Sequence, residues 1–231
     1  MLQFINSNDD TFVGGVDEAG RGSILGPMVV AGIGIRKSQI SRLYRLDVRD
    51  SKLLTPKRRA QVFSDIMSLA DSMSVFIVSC SQIDLNVFFN RLNRLEAQTM
   101  ALVVNNIRAN TVYIDSCDIN PERYKQCIAS YLDDARAATT MIYSLHHADR
   151  LNIVVSAASI IAKIVRDNEI LQIRKNYPNI GSGYPSDKKT MRFIKKWVSR
   201  YQSAPKFARK SWKPLRIMLK ENYKYNTQYI T

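Results

Sequence analysis

Asp17 and Glu18 stand side by side in the run Gly14-Gly15-Val16-Asp17-Glu18-Ala19-Gly20-Arg21-Gly22. Two neighbouring acids in an apolar, glycine-rich setting repel each other and lose hydration when buried, so they need compensation. A divalent cation supplies it, and carboxylate oxygens are hard ligands of the kind that Mg²⁺ and Mn²⁺ take. A third acid, Asp115, closes the apolar run Val112-Tyr113-Ile114, and a fourth, Asp149, follows His146-His147-Ala148. Separated acids that converge at a sheet edge are the pattern of a two-metal phosphodiester hydrolase. There, ions about 3.5–4 Å apart align a water with the phosphorus and neutralise the leaving oxygen. The same acids also read as turn residues and helix caps, and spacing leaves both readings open. Lys52 reads as a phosphate contact or as an exposed surface lysine. Lys163 and Asp167 are four apart on a predicted helix, so a surface ion pair competes with a site role, and Arg166 beside them is equally open.

The elements around these residues must bring them together. Residues 11–17 read as a strand running into the first acidic pair. Residues 28–35 are continuously apolar, as in a central strand covered on both faces. Thr55-Pro56 is a helix start, cap then first turn, with the helix expected to reach Ala70. Further strands are expected over 74–80, 111–115 and 139–144. Helices are expected over 92–107, from the Asn120-Pro121 cap to Leu132, over 156–173 and over 186–201. Residues 181–185 read as a turn, and Pro205 and Pro214 as interruptions of the final basic stretch. Two hairpin-like units followed by alternating helix and strand describe a mixed α/β sheet rather than a doubly wound one.

The chain has 231 residues, 45 % of them hydrophobic, enough for one sizeable core with or without a small appendage. The longest apolar run, Met28 to Ile35, is too short to cross a bilayer, and no basic flank with an apolar stretch opens the chain. A cytoplasmic protein without membrane contact is expected. Cys80, Cys117 and Cys127 are odd in number and lack paired spacing, which argues against a disulfide scaffold or structural zinc and for buried or half-buried thiols. Thirteen of the 34 basic residues lie after Ile180 against two of the 20 acids, so that segment holds +11 of the formal +14. A basic lobe on a balanced body is the footprint of a polyanion partner; a merely solvated basic face is the alternative.

Gly15-Val16-Asp17-Glu18-Ala19-Gly20-Arg21-Gly22 with Gly26-Pro27 resembles the signature of ribonuclease HII. The ordered set that follows strengthens the likeness: Asp50-Ser51-Lys52, Tyr113-Ile114-Asp115, His146-His147-Ala148-Asp149, residues 156–163, Arg166-Asp167 and Gly183-Tyr184-Pro185-Ser186-Asp187. Residues 120–124 and Ser211-Trp212-Lys213 are similar to the archaeal branch. The resemblance implies an α/β, RNase H-like fold, a five-stranded mixed sheet with flanking helices and a helical C-terminal region. The expected division is a catalytic domain over 1–180 and a basic helical region over 181–231. It implies metal-binding catalytic carboxylates Asp17, Glu18, Asp115 and Asp149 holding Mg²⁺ or Mn²⁺ at a two-metal site. Asp17 would bridge the ions, Glu18 and Asp115 would hold the ion nearer the leaving group, and Asp149 the ion that activates water. It implies substrate contacts at Gly20, Arg21, Gly22, Lys52 and Tyr184. The expected substrates are RNA–DNA hybrids and duplex DNA carrying a ribonucleotide, cut by a monomer to 5′-phosphate and 3′-hydroxyl ends. Three departures stand out. Ser23 replaces a common proline, and His147 a common lysine. Residues 229–231 lack the pattern by which some relatives contact a sliding clamp, leaving that partner open. Two rival readings are another RNase H-fold nuclease, such as a resolvase or transposase, and a basic nucleic-acid-binding module with a relic site.

Overall fold

The glycine-rich run and the acidic pair lie on one strand, β1 (Phe12–Ala19), and the continuously apolar run forms β2 (Met28–Arg36), buried at every position but the last. In this computed structural model the described residues are 11–46, 48 and 55–227. After β2 come α1 (Ile40–Tyr44), α2 (Pro56–Leu69) and β3 (Ser72–Val78). Next are α3 (Cys80–Phe88), α4 (Leu92–Asn106), β4 (Thr111–Asp115), α5 (Pro121–Ala129), α6 (Asp134–Thr139) and β5 (Met141–Leu145). The chain continues through α7 (Ala148–Leu151), α8 (Ile153–Asn176), α9 (Lys188–Tyr201) and α10 (Lys213–Thr227). The sheet is five-stranded and mixed, in the order β3-β2-β1-β4-β5, with β1, β4 and β5 parallel. That is the fold class the sequence predicts.

Local chemistry explains most boundaries. The Thr55 hydroxyl accepts from the Arg58 amide at the start of α2, and Asn120 caps α5 in the same way. Cys80, expected to end a strand, instead opens α3. Ser79 and Gln82 form a reciprocal capping box there, a signal present in the sequence as Ser-x-x-Gln. α8 begins three residues earlier than its alanine-rich part suggests, because the Asn152 carbonyl Oδ1 accepts from the amides of Val154 and Val155. The predicted helix ending at Leu132 stops at Ala129, and α6 takes up Thr139, so the last strand starts at Met141. Pro214 does not interrupt a helix; it occupies the first turn of α10, where a missing N–H costs nothing.

The described residues fall into two compact units that interleave along the chain: those up to 17, within 31–75 and within 97–161 in one, those within 18–30, 76–96 and from 162 to 227 in the other. In the first, Val16, Ile33, Val104, Val112, Ile114 and Ile161 are buried side chains. Gly15 is required there: a Cβ would lie 2.3–2.5 Å from the backbone of Val154 and Val155, so the first turn of α8 approaches β1 as closely as a strand permits. In the second, Ile24, Leu25, Ile170, Ile180, Ile194, Val198, Ala208 and Leu215 form one core. None of the helices in the described residues is long and apolar enough to cross a membrane. The three cysteines are free thiols, Cys80 buried and the others half-buried.

Candidate active site

Parallel pairing sets the register of the acids. Val16 lies beside Ile114, so the next residue of each strand, Asp17 and Asp115, reaches the same end of the sheet. Asp17 is only 4 % exposed. Asp17, Glu18 and Asp115 each offer a carboxylate oxygen, and these oxygens lie within 4.8 Å of one another. Strand carboxyl ends of this kind gather functional groups in open α/β sheets. The donor set is all hard oxygen, with no thiolate or imidazole in it, and so fits Mg²⁺ or Mn²⁺. Asp149 stands outside that group of oxygens, on α7. The first amide of α7, Ala148 N–H, donates to Asp115 Oδ1 at 2.7 Å, tying the helix to the end of β4. The Asp149 carbonyl in turn accepts from the Ser156 hydroxyl at the start of α8. His147 precedes α7 in the left-handed region, at φ 56°, with an exposed side chain.

The turn after β1 is held from several sides. Gly20 has φ +84°, and a Cβ there would strike Arg166 Nε at 2.4 Å. Its carbonyl accepts from the Ser23 amide at 3.1 Å, the Ser23 hydroxyl at 2.8 Å and Arg209 Nη2 at 2.6 Å. Ser23 thus fills its position with a hydrogen bond that proline lacks. Arg209 Nη1 donates to the Arg21 carbonyl at 2.6 Å, and Arg209 Nε and Nη2 reach the Gly26 carbonyl. Arg209 is fully buried, and burial lowers its pKa to about 10, so it remains charged at neutral pH. Arg21 Nε donates to the buried Glu96 carboxylate and Nη2 to Asn93 Oδ1, each at 2.6 Å. Its guanidinium therefore braces the turn against α4. Gly22 is exposed, a Cβ there would meet nothing within 4 Å, and its carbonyl accepts from Trp212 Nε1 at 3.4 Å. Among the described residues, no acceptor meets the Gly22 amide.

Tyr184 lies in the turn between α8 and α9. Gly183 O accepts from the amides of Ile24 and Leu25, at 2.8 and 3.0 Å, which fastens this turn to the chain just beyond Gly22. The Arg166 guanidinium lies 4.5 Å from the Tyr184 ring centroid and donates through Nη2 to the carbonyls of Leu25 and Ser182. Arg166 is buried, and desolvation lowers its pKa. It therefore touches both Gly20 and Tyr184. Asp187 caps α9 and clamps the turn. Its carboxylate accepts from the Ser182 amide at 2.6 Å and the Lys189 amide at 2.8 Å, and its pKa is held at about 2, first by the Ser182 bond. Lys163 and Asp167 form an ion pair along α8. Lys52, with Asp50 and Ser51, lies outside the described residues. Arg209 escaped the sequence reading: one arginine in a basic stretch looks solvated, and nothing local marks it as buried.

Two expected results follow from these bonds. Arg209→Met takes the fork from the Gly20, Arg21 and Gly26 carbonyls; Gly20 keeps its Ser23 donors and Gly26 the Cys80 thiol, but charge-assisted bonds of this kind are worth about 1.5–3 kcal/mol apiece. Urea unfolding should show a loss of roughly 3 kcal/mol or more. Arg209→Lys should not restore it, since an ammonium lacks the planar fork. The second concerns acid. A carboxylate whose pKa is depressed in the folded state contributes stability above its unfolded value, and that contribution is lost as pH falls toward the folded one. For Asp187 the window runs from its ordinary 3.8 down to about 2. Across that window, unfolding free energies of Asp187→Asn should fall less steeply than those of the parent.

The sequence profile of the family described as Ribonuclease HII matches residues 14–215. The chain belongs to the ribonuclease HII family. Among relatives, ribonuclease HII of Cenarchaeum symbiosum is 40 % identical over 204 residues, covering 88 % of this chain and 96 % of the relative. That of Pyrococcus furiosus is 38 % identical over 224 residues, covering 95 % and 96 %. The solved ribonuclease H2 from Pyrococcus horikoshii superposes with a TM-score of 0.85 at 35 % identity, over 93 % of this chain and 100 % of that one. Ribonuclease HII of Archaeoglobus fulgidus, solved in a PCNA complex, gives 0.79 at 32 % identity, over 87 % and 95 %. The chain is a ribonuclease H enzyme of the family that cleaves RNA in RNA–DNA hybrids.

Proposed function

We propose that the enzyme cuts the RNA strand of hybrids and also cuts at single ribonucleotides embedded in duplex DNA, leaving 5′-phosphate and 3′-hydroxyl ends. The observation that carries this reading is the convergence of Asp17, Glu18 and Asp115 at one sheet end, one turn of chain before Gly22. Asp17, Glu18 and Asp115, with Asp149 beside them on α7, would hold two Mg²⁺ or Mn²⁺ ions. When bound, such ions neutralise the phosphate and lower the pKa of a bound water. The protein's own residues do the rest. Asp17 and Asp115 are fixed by paired strands, so the carboxylates are preorganised before substrate arrives. The Gly22 amide is available to the 2′-hydroxyl, whereas the carbonyls of Gly20, Arg21 and Gly22 already accept from protein donors. A ribose is thus met by an N–H in a place that no side chain fills. Arg21 acts by bracing that turn, Lys52 by contacting phosphate, and Tyr184 by stacking on the sugar or base beyond the ribonucleotide.

The basic region 181–231 forms the backbone-contacting side of the same monomer, with Arg209 spent inside it. Binding of hybrid should therefore weaken steeply with salt, by about 0.9 in the log–log slope for each phosphate contacted. Cleavage of three duplexes in Mg²⁺ or Mn²⁺ tests the reading: all-DNA, RNA–DNA hybrid, and DNA with one ribonucleotide. Cutting of the last two and not the first is expected. An intact single-ribonucleotide duplex would remove that substrate. The PCNA complex is a property of the Archaeoglobus protein, and residues 228–231 lie outside the described residues.

A further inference from the structure

α9 carries two rows at helical spacing. Lys189, Arg192, Lys196 and Arg200 recur every three or four residues, and Phe193, Trp197 and Tyr201 recur every four. The buried face, Thr190, Ile194 and Val198, packs into the core of its unit and Phe193 packs partly against it, while the basic row and Tyr201 stay exposed. Both rows, with Tyr177 and its neighbours Asn176, Pro178 and Asn179, line a groove of about 600 Å³. Its floor is aromatic: Tyr177 and Trp197 centroids are 5.4 Å apart, and Trp197 and Tyr201 4.7 Å. Tyr201 is 52 % exposed, with Arg200 5.4 Å from its ring. No acid lines the groove. Its four cations belong to the basic region set against the duplex backbone, whereas its aromatic row has no part in cleavage.

We propose that this groove is a second nucleic-acid site, which takes unpaired nucleotides of a single strand. Cations every turn match a phosphate backbone, and rings beside them offer π-faces to bases. A duplex fits less well, because its bases are covered above and below by their neighbours and cannot reach the rings. A membrane surface fits less well too, because the apolar face of α9 is buried in protein. The site would hold a single-stranded stretch flanking the duplex being cut.

The test uses the full chain in Mg²⁺ with fluorescent all-DNA probes, (dT)₁₂ and a 12-mer of abasic sugar-phosphate carrying the same charge. Wild type should bind (dT)₁₂ more tightly, by at least about fivefold, the smaller end of the range for stacking one base on an aromatic ring. Tyr201→Ala should erase that preference, keep its melting temperature, and cut blunt RNA–DNA hybrid at the parent rate. Arg192→Gln with Arg200→Gln should lower the salt slope by about 0.7 per cation removed. Equal binding of the two probes by wild type, or an unaltered preference in folded Tyr201→Ala, overturns the proposal. So does tighter binding to phosphatidylserine–phosphatidylcholine vesicles than to (dT)₁₂, abolished by Tyr201→Ala. Cleavage of hybrid is scored separately, so failure here leaves the catalytic reading untouched, and the reverse.

Discussion

Asp17→Asn nearly abolishes turnover on every RNA-containing duplex while the apo protein folds and gains stability. The activity side follows from preorganisation. Asp17 is nearly buried at the end of β1, and its oxygens share a small volume with those of Glu18 and Asp115. Asp17 would hold the cation that neutralises the developing negative charge, and losing one such stabilising interaction costs on the order of 100- to 1,000-fold, with a lost metal ligand at the upper end. The stability side follows from the same crowding. Two unit charges 4 Å apart repel by about 4 kcal/mol at an effective dielectric of about 20, so neutralising one removes strain that the fold otherwise carries. A gain of roughly 1 kcal/mol is expected in metal-free buffer. Asp115→Asn should behave alike, since its amide oxygen still accepts from Ala148 N–H. Mg²⁺ should raise the melting temperature of the parent by mass action, about 2.7 kcal/mol at one hundred times the dissociation constant, and raise that of either variant far less. Melts with and without Mg²⁺ beside a cleavage assay measure both sides. Undiminished cleavage by Asp17→Asn would remove it from the metal site.

Acids and strands were the legible part of this chain, because both are written locally. An apolar run ending in an acid identifies Thr111–Asp115 and places Asp115 at a strand end; residues 28–35 announce a strand covered on both faces. Asp115 bonding back to Ala148 was not legible, because it depends on where β5 delivers the chain. The position of Asp149 depends on the same thing. Arg166 and Arg209 were still less so. A buried guanidinium is chosen by the carbonyls that converge on it, here from residues 20–26 and 182, more than a hundred positions away for the first set. Sequence spacing records none of that. Arg21 shows the opposite case, a residue that the motif marks out and whose partners the motif does not show. It sits in the signature, yet its guanidinium is paired with Glu96 and Asn93.

Tyr184→Ala should lose most activity at a single ribonucleotide in DNA, roughly 10-fold or more, and distinctly less on a long hybrid. The loss expected from one base- or sugar-stacking ring is about 1–3 kcal/mol, which is a factor of about 5 to 150. A long hybrid offers many registers, so a weakened reader still finds an acceptable phosphate; a lone ribonucleotide offers one. Tyr184 is positioned for this by Arg166, whose guanidinium lies against its ring and against Gly20. Arg166→Met should therefore reproduce the substrate bias of Tyr184→Ala, in a protein made less stable by the lost bonds to Leu25 and Ser182. Gly22→Ala is the complementary test. Its Cβ would meet no protein atom and its backbone is not in the left-handed region, so the fold should be unaffected. A sugar brought against the Gly22 amide would meet that methyl. Gly22→Ala should thus depress kcat/KM on both substrates alike, whereas Tyr184→Ala separates them. The comparison needs four values of kcat/KM and circular dichroism of each variant. Equal losses by Tyr184→Ala on the two duplexes would refute its reading of the junction. Parental rates from folded Gly22→Ala would show that the ribose does not approach this turn, and the 2′-hydroxyl would have to be read elsewhere.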